Sequence, residues 1–141
     1  MIVTSLALTL AAAFTGAAAY INWAEQPARL SLDDASLLQE WKLAYAKGFA
    51  MQATLAVVSG LLGLAAFFLD HSWLAALGGV LMLANWPYTF LAIIPTNKRL
   101  GAMTAASAEL RPSIERWARL HAGRTLLGLA ASCAFLIAQL T

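Results

Sequence analysis

Four apolar runs, at residues 2–23, 48–69, 73–94 and 120–140, are separated by three polar stretches. A helix needs about 20 residues to cross a bilayer, and each run is close to that length. The pattern predicts an all-α fold: an integral membrane four-helix transmembrane bundle, forming a single membrane domain over 1–141 with loops at 24–47 and 95–119. From Thr125 to Leu140 there are only 16 residues, so a full last crossing must begin near His121. That draws His121 and Arg124 into the membrane edge, where a titratable or charged group is a functional candidate by default.

Local signals mark the ends of these runs. In the first, Ala11, Ala12, Gly16 and Ala19 lie at helical spacing and are expected to form a close-contact face. Tyr20, Asn22 and Trp23 mark its interfacial end. No Lys or Arg precedes Arg29, so the run reads as a retained helix rather than a cleaved signal. Pro27 is expected to stop it. Ser31 with Asp34 resembles a capping box, which predicts a helix from Leu32. Leu37, Leu38, Trp41 and Tyr45 then give one apolar side, an amphipathic lead-in to the second span. Asp70-His71-Ser72 is short enough to make spans two and three antiparallel neighbours, with His71 exposed. Pro87 predicts a kink that frees the Leu83 carbonyl. Asn85 should point into the bundle, either as a site group or in a structural interhelical hydrogen bond. Pro95 is expected to end the third span. Pro112 suits the first turn of the last helix, and Ser107, Glu109 and Arg111 are expected in solvent or among headgroups.

Composition narrows the class. The chain is 61% hydrophobic and 11% charged, which excludes a water-soluble domain of this size. Its net charge of +2 is no nucleic-acid footprint, because all nine Lys and Arg residues fall in two loops or at the start of the last span. The positive-inside rule places that side in the cytoplasm and both termini outside. The lone Cys133 cannot form an intramolecular disulfide and reads as a buried packing residue. No Cys/His cluster has zinc spacing, and no metal is expected.

Two polar-aromatic stripes remain. Trp117, His121 and Arg124 share one helix face, and Trp41, Tyr45, Gly48 and Gln52 share another. An aromatic belt with a helix-contact glycine explains Trp41, Tyr45 and Gly48 but not Gln52. Arg124 alone reads equally well as a headgroup anchor. However, Gln52, the Thr89–Asn97 segment and the His121–Arg124 pair all fall near the cytoplasmic ends of their helices. Scattered anchors need not converge at one depth, so the site reading gains weight.

The motifs Asn85-Trp86-Pro87-Tyr88-Thr89 and Ile94-Pro95-Thr96-Asn97-Lys98-Arg99-Leu100, followed by Trp117, His121 and Arg124, carry a resemblance. With them the chain resembles the anthrone oxygenase-like family of small four-span membrane proteins, over nearly its whole length. Pro27, Trp41, Tyr45, Gly48 and Gln52 also sit at family-like positions. The resemblance implies oxidation of an anthrone to an anthraquinone with dioxygen and no metal or flavin. Many bacterial members of the family have no assigned activity, and the expected location is a cytoplasmic membrane of bacterial type.

Such chemistry needs a base, an oxyanion stabiliser and a dry aromatic pocket. His121 suits the base. Arg124, Asn97 or Gln52 suit the oxyanion. Trp41, Trp86, Trp117 and Tyr45 suit a flat polycyclic substrate, with Asn85 and Thr89 as further contacts. The expected function is therefore a cofactor-independent oxygenase. Its expected partners are membrane lipid and a small hydrophobic aromatic or quinone-like ligand, with no nucleic acid and with a homo-oligomer as an option. The alternative is a non-enzymatic membrane protein that binds a lipid or quinone or assembles with a partner. A transporter fits less well, because no inverted repeat is visible.

Overall fold

The computed structural model describes residues 1–105 and 107–140; Ala106, in the second expected loop, and Thr141 lie outside the described residues. Four helices, α1 (Ile2–Leu30), α2 (Asp34–Asp70), α3 (Trp73–Ala102) and α4 (Leu110–Leu140), are each long and apolar enough to cross a membrane. Among the described residues there is no strand. Short connections make successive helices antiparallel, and α1 closes the ring by packing against α4. The result is an up-down-up-down bundle.

Two prolines expected to end helices do not. α1 continues through Pro27 and α3 through Pro95. In each helix one wide π turn comes first, Ile21–Glu25 and Thr89–Ile93. The closing bonds reach five residues back, from the Gln26 N–H to the Ile21 carbonyl and from the Ile94 N–H to the Thr89 carbonyl. After each wide turn a new α segment begins, with its proline in the first turn. There the missing N–H costs least. At Pro87 the helix is interrupted by a turn at Ala84. Asn85 Nδ2 donates to the carbonyls of Leu81 at 3.4 Å and Met82 at 3.2 Å. Both bonds serve its own helix rather than a neighbour.

The start of α2 also differs from expectation. Asp33, not Ser31, is the cap: its Oδ1 accepts from the N–H groups of Ala35 at 3.1 Å and Ser36 at 3.0 Å. The backbone N–H of Ser36, then its hydroxyl, hold the Asp33 carboxyl below the usual carboxylate range. Arg111 is not free in solvent. It donates to Asp34 Oδ1 at 2.7 Å and to the carbonyls of Leu30 and Leu32 at 2.9 and 2.7 Å, tying α4 to the end of α1.

The core has two parts. Nearer the His71 turn it is built from small residues, including Ala7, Ala11, Ala18, Ala56, Ala66, Ala75 and Ala131, with Phe14, Met82 and Phe135 filling between them. Here backbones meet. A Cβ added at Gly79 would lie 2.7 Å from the Gly60 carbonyl oxygen, and one at Gly63 or Gly78 would lie 2.7 Å from the Phe135 ring. Ser59 Oγ donates across to the Ala7 carbonyl at 2.8 Å. The inward face of α1 is Thr4, Ala7, Ala11, Phe14 and Ala18. Ala12 and Gly16 are exposed, as is Cys133. Lipid tails accept Ala, Gly or Cys as readily as a helix neighbour does, so apolar periodicity alone does not say which small residues face inward. At the other end larger side chains pack: Leu37, Leu38, Trp41, Ile93, Leu100, Leu110, Ile114 and Trp117.

Candidate functional site

Residues of the second part of the core border a cavity of about 330 Å³ to which all four helices contribute. α1 lends Ala17, Ile21, Glu25 and Arg29; α2 lends Trp41, Tyr45, Gly48, Phe49 and Gln52; α3 lends Thr89, Ile93 and Asn97; α4 lends Trp117, His121 and Arg124. Both π turns thus supply lining residues, at Ile21 and Glu25 and at Thr89 and Ile93. A wide turn re-aims the following side chains, which is why such turns recur at functional sites. Tyr20, Lys47 and Met51 also border the space and are exposed, so its rim lies between α1 and α2. Nothing stands within 4 Å of a Cβ built on Gly48. This glycine is therefore not a helix contact; it leaves the cavity open.

The structure brings His121, Arg124, Asn97, Gln52, Tyr45, Trp41, Thr89 and Trp117 to this one space. Asn85 and Trp86 are set apart. They line a crevice of about 10 Å³ that shares Phe49, Thr89 and Arg124 with the main cavity. Gln52 is 1% exposed, His121 3% and Arg124 7%, so these polar groups sit where an unmet hydrogen bond is costly. Yet both amide atoms of Gln52, Asn97 Oδ1 and Arg124 Nε have no hydrogen-bond partner among the described residues. Asn97 Nδ2 is engaged, donating to the Tyr45 hydroxyl at 3.0 Å.

The aromatic groups partly support one another. Trp41 stacks on Tyr45 with centroids 5.0 Å apart and meets Trp117 edge-on at 5.9 Å. Trp117 in turn stacks on the His121 ring at 5.0 Å.

The lining residues Glu25 and Arg29 and the adjoining Asn22 are polar groups that the sequence reading did not assign to the site. Arg29, 2% exposed, lies over the Trp117 ring at 5.5 Å. It donates from Nε to Glu40 Oε2 at 2.6 Å and also pairs with Glu25. Asn22 Oδ1 stands 3.0 Å from His121 Nδ1. The signal was the spacing of Asn22, Glu25 and Arg29 at helical steps, hidden by taking Pro27 as a helix stop. The two buried arginines now contrast. Arg29 is saturated by carboxylates, whereas Arg124 has only a ring contact, 5.3 Å from the Phe14 centroid, and no ion pair among the described residues. No three His, Cys, Asp or Glu side chains among the described residues come together to hold a metal ion.

A family profile described as anthrone oxygenase matches residues 41–134. An anthrone oxygenase of Claviceps purpurea (strain 20.1) is 33% identical over 114 residues, covering 70% of this chain and 64% of that relative. The similarity therefore spans just under two thirds of the relative's length. No solved structure matches the chain.

Proposed function

The chain belongs to the anthrone oxygenase family, and from that premise we propose that it oxidises a flat, hydrophobic, anthrone-type substrate with dioxygen, using its own side chains and no cofactor. The observation that carries this reading is the convergence of His121 and the partly unpartnered Gln52, Asn97 and Arg124 on one aromatic-walled cavity. A ligand with matching donors and acceptors would satisfy those groups.

An anthrone carries a CH₂ group between two aromatic rings, opposite a carbonyl. His121 takes one of its protons as general base. Negative charge then builds on the carbonyl oxygen, where the Arg124 guanidinium and the Gln52 amide donate hydrogen bonds. The free Asn97 Oδ1 is an acceptor and suits a ring hydroxyl. The enolate passes one electron to dioxygen, and the radical pair joins to form a carbon–oxygen bond. The imidazolium returns its proton to the peroxide. Loss of the second carbon-bound proton with O–O cleavage leaves the ketone and releases hydroxide, which the proton converts to water. The carbon has lost four electrons and dioxygen has gained four, so no outside reductant is required. On the positive-inside rule the cavity end of the bundle, which carries the basic residues, faces the cytoplasm.

The test is dioxygen uptake with anthrone consumption, in membranes with and without the protein and corrected for autoxidation. The expected rate exceeds background for at least one of several anthrones. If none exceeds background while a quinone or lipid binds the cavity, a non-enzymatic binding protein replaces this reading.

A further inference from the structure

His121 is held from behind by Asn22, which lies outside the stretch matched by the family profile, residues 41–134. Asn22 belongs to the π turn Ile21–Glu25. Its Nδ2 donates to the Ala118 carbonyl of α4 at 2.8 Å. That bond fixes which way the amide faces. Turned over, the amide would set Oδ1 against the Ala118 carbonyl oxygen, two acceptors with no proton between them. The Thr125 hydroxyl donates to the same Oδ1 at 3.4 Å, which agrees with this orientation. Oδ1 then stands 3.0 Å from His121 Nδ1 and is able only to accept. The hydrogen bond therefore requires the ring proton on Nδ1. A neutral imidazole carries one ring proton, so Nε2 keeps its lone pair. The Trp117 ring, stacked at 5.0 Å and 28°, sets the plane of the imidazole that lines the cavity.

We propose that Asn22 is the positioning residue of this site: it holds His121 as the Nδ1–H tautomer and leaves Nε2 free to take a proton from the bound substrate. The use of Nε2 as base rests on the oxygenase reading above; the tautomer does not. An orienting partner behind a general base commonly decides which nitrogen is available.

The chain has two histidines, which makes the tautomer directly measurable. His71 is exposed and has φ 53°, a left-handed backbone that Asn tolerates. A full-length His71→Asn chain therefore keeps a single imidazole. Labelled with nitrogen-15 histidine in lipid bilayers, it should show a protonated Nδ1 and a bare Nε2. Two further variants separate positioning from packing. Asn22→Leu and Asn22→Asp both delete the donor to Ala118, so a purely structural role predicts equal damage. The Asp variant retains an acceptor opposite Nδ1. It should keep the Nδ1–H tautomer and most of kcat. The Leu variant should lose that tautomer, with kcat falling roughly 10- to 100-fold and KM little changed, on the scale of other outer-shell partners. A bare Nδ1 with Asn22 intact, or an unaltered tautomer in Asn22→Leu, would overturn the proposal. The expected tautomer in a protein inert towards every anthrone would instead remove the oxygenase reading and leave the role of Asn22 standing.

Discussion

In the half of the bundle beside the His71 turn, helices α2 and α3 approach until the Gly60 carbonyl oxygen would sit 2.7 Å from a Cβ at residue 79, and Phe135 lies across Gly63 and Gly78. In the other half the same four helices enclose a cavity of about 330 Å³ walled by aromatic rings and buried polar atoms. Small residues allow the first half to gain van der Waals contact with few polar atoms. In the second half each of α1 and α3 contains a π turn followed by a proline, and these turns present side chains to an open space. Lining polar atoms such as those of Gln52 have no partner among the described residues. On the proposed function, stability and chemistry divide along the bundle axis. Substitutions in one half should move melting behaviour, and substitutions in the other should move turnover.

The largest expected effect is on turnover. His121→Gln keeps a polar side chain in the cavity but removes the base, and general-base loss is worth about a hundred- to ten-thousand-fold. The expected result is that loss in anthrone-dependent dioxygen uptake with an unchanged melting temperature. A fall in both would mean that His121 belongs to the scaffold. Next comes Gly79→Ala. Its added methyl meets backbone on α2, Gly60 O at 2.7 Å and Leu64 N at 3.0 Å, neither of which is able to swing aside. Overpacking of this kind costs about 1–3 kcal/mol. Thermal unfolding in detergent should show it, while turnover per folded molecule stays constant. The smallest effect belongs to Gly16→Ala, where nothing lies within 4 Å of the new Cβ. Its stability should stay level or rise by no more than about 1 kcal/mol, the gain in helix propensity from Gly to Ala. A shift as large as that of Gly79→Ala would show that α1 presents this face to another surface.

The four spans were legible because membrane length imposes a run of apolar residues that no other constraint imitates. The stripes Trp41–Tyr45–Gly48–Gln52 and Trp117–His121–Arg124 were legible because polar residues inside apolar helices stand out at helical spacing. What failed has two physical sources. Proline was taken to end helices at Pro27 and Pro95, but a preceding π turn lets the helix resume, and this hid Asn22, Glu25 and Arg29 as cavity neighbours. Apolar periodicity was also asked to orient helices, and lipid removes its meaning. Ala12, Gly16 and Cys133 therefore proved exposed. Asn85 stood out for the same reason as Gln52, yet its amide serves the carbonyls of Leu81 and Met82, which spacing does not reveal.

If the reaction takes place in the open half of the bundle, as proposed, filling the space at Gly48 should stop it. Gly48 lines the cavity, and a Cβ there meets nothing within 4 Å. Gly48→Leu therefore puts a side chain into the space while leaving His121, Asn97 and Arg124 in place, and it replaces a poor helix former with a good one. The measurement is anthrone-dependent dioxygen uptake by Gly48→Leu and parent protein at equal folded concentration. The variant should be at least as heat-stable as the parent, and its uptake should fall to the autoxidation background. A folded Gly48→Leu protein with parental turnover would contradict the proposed siting of the reaction.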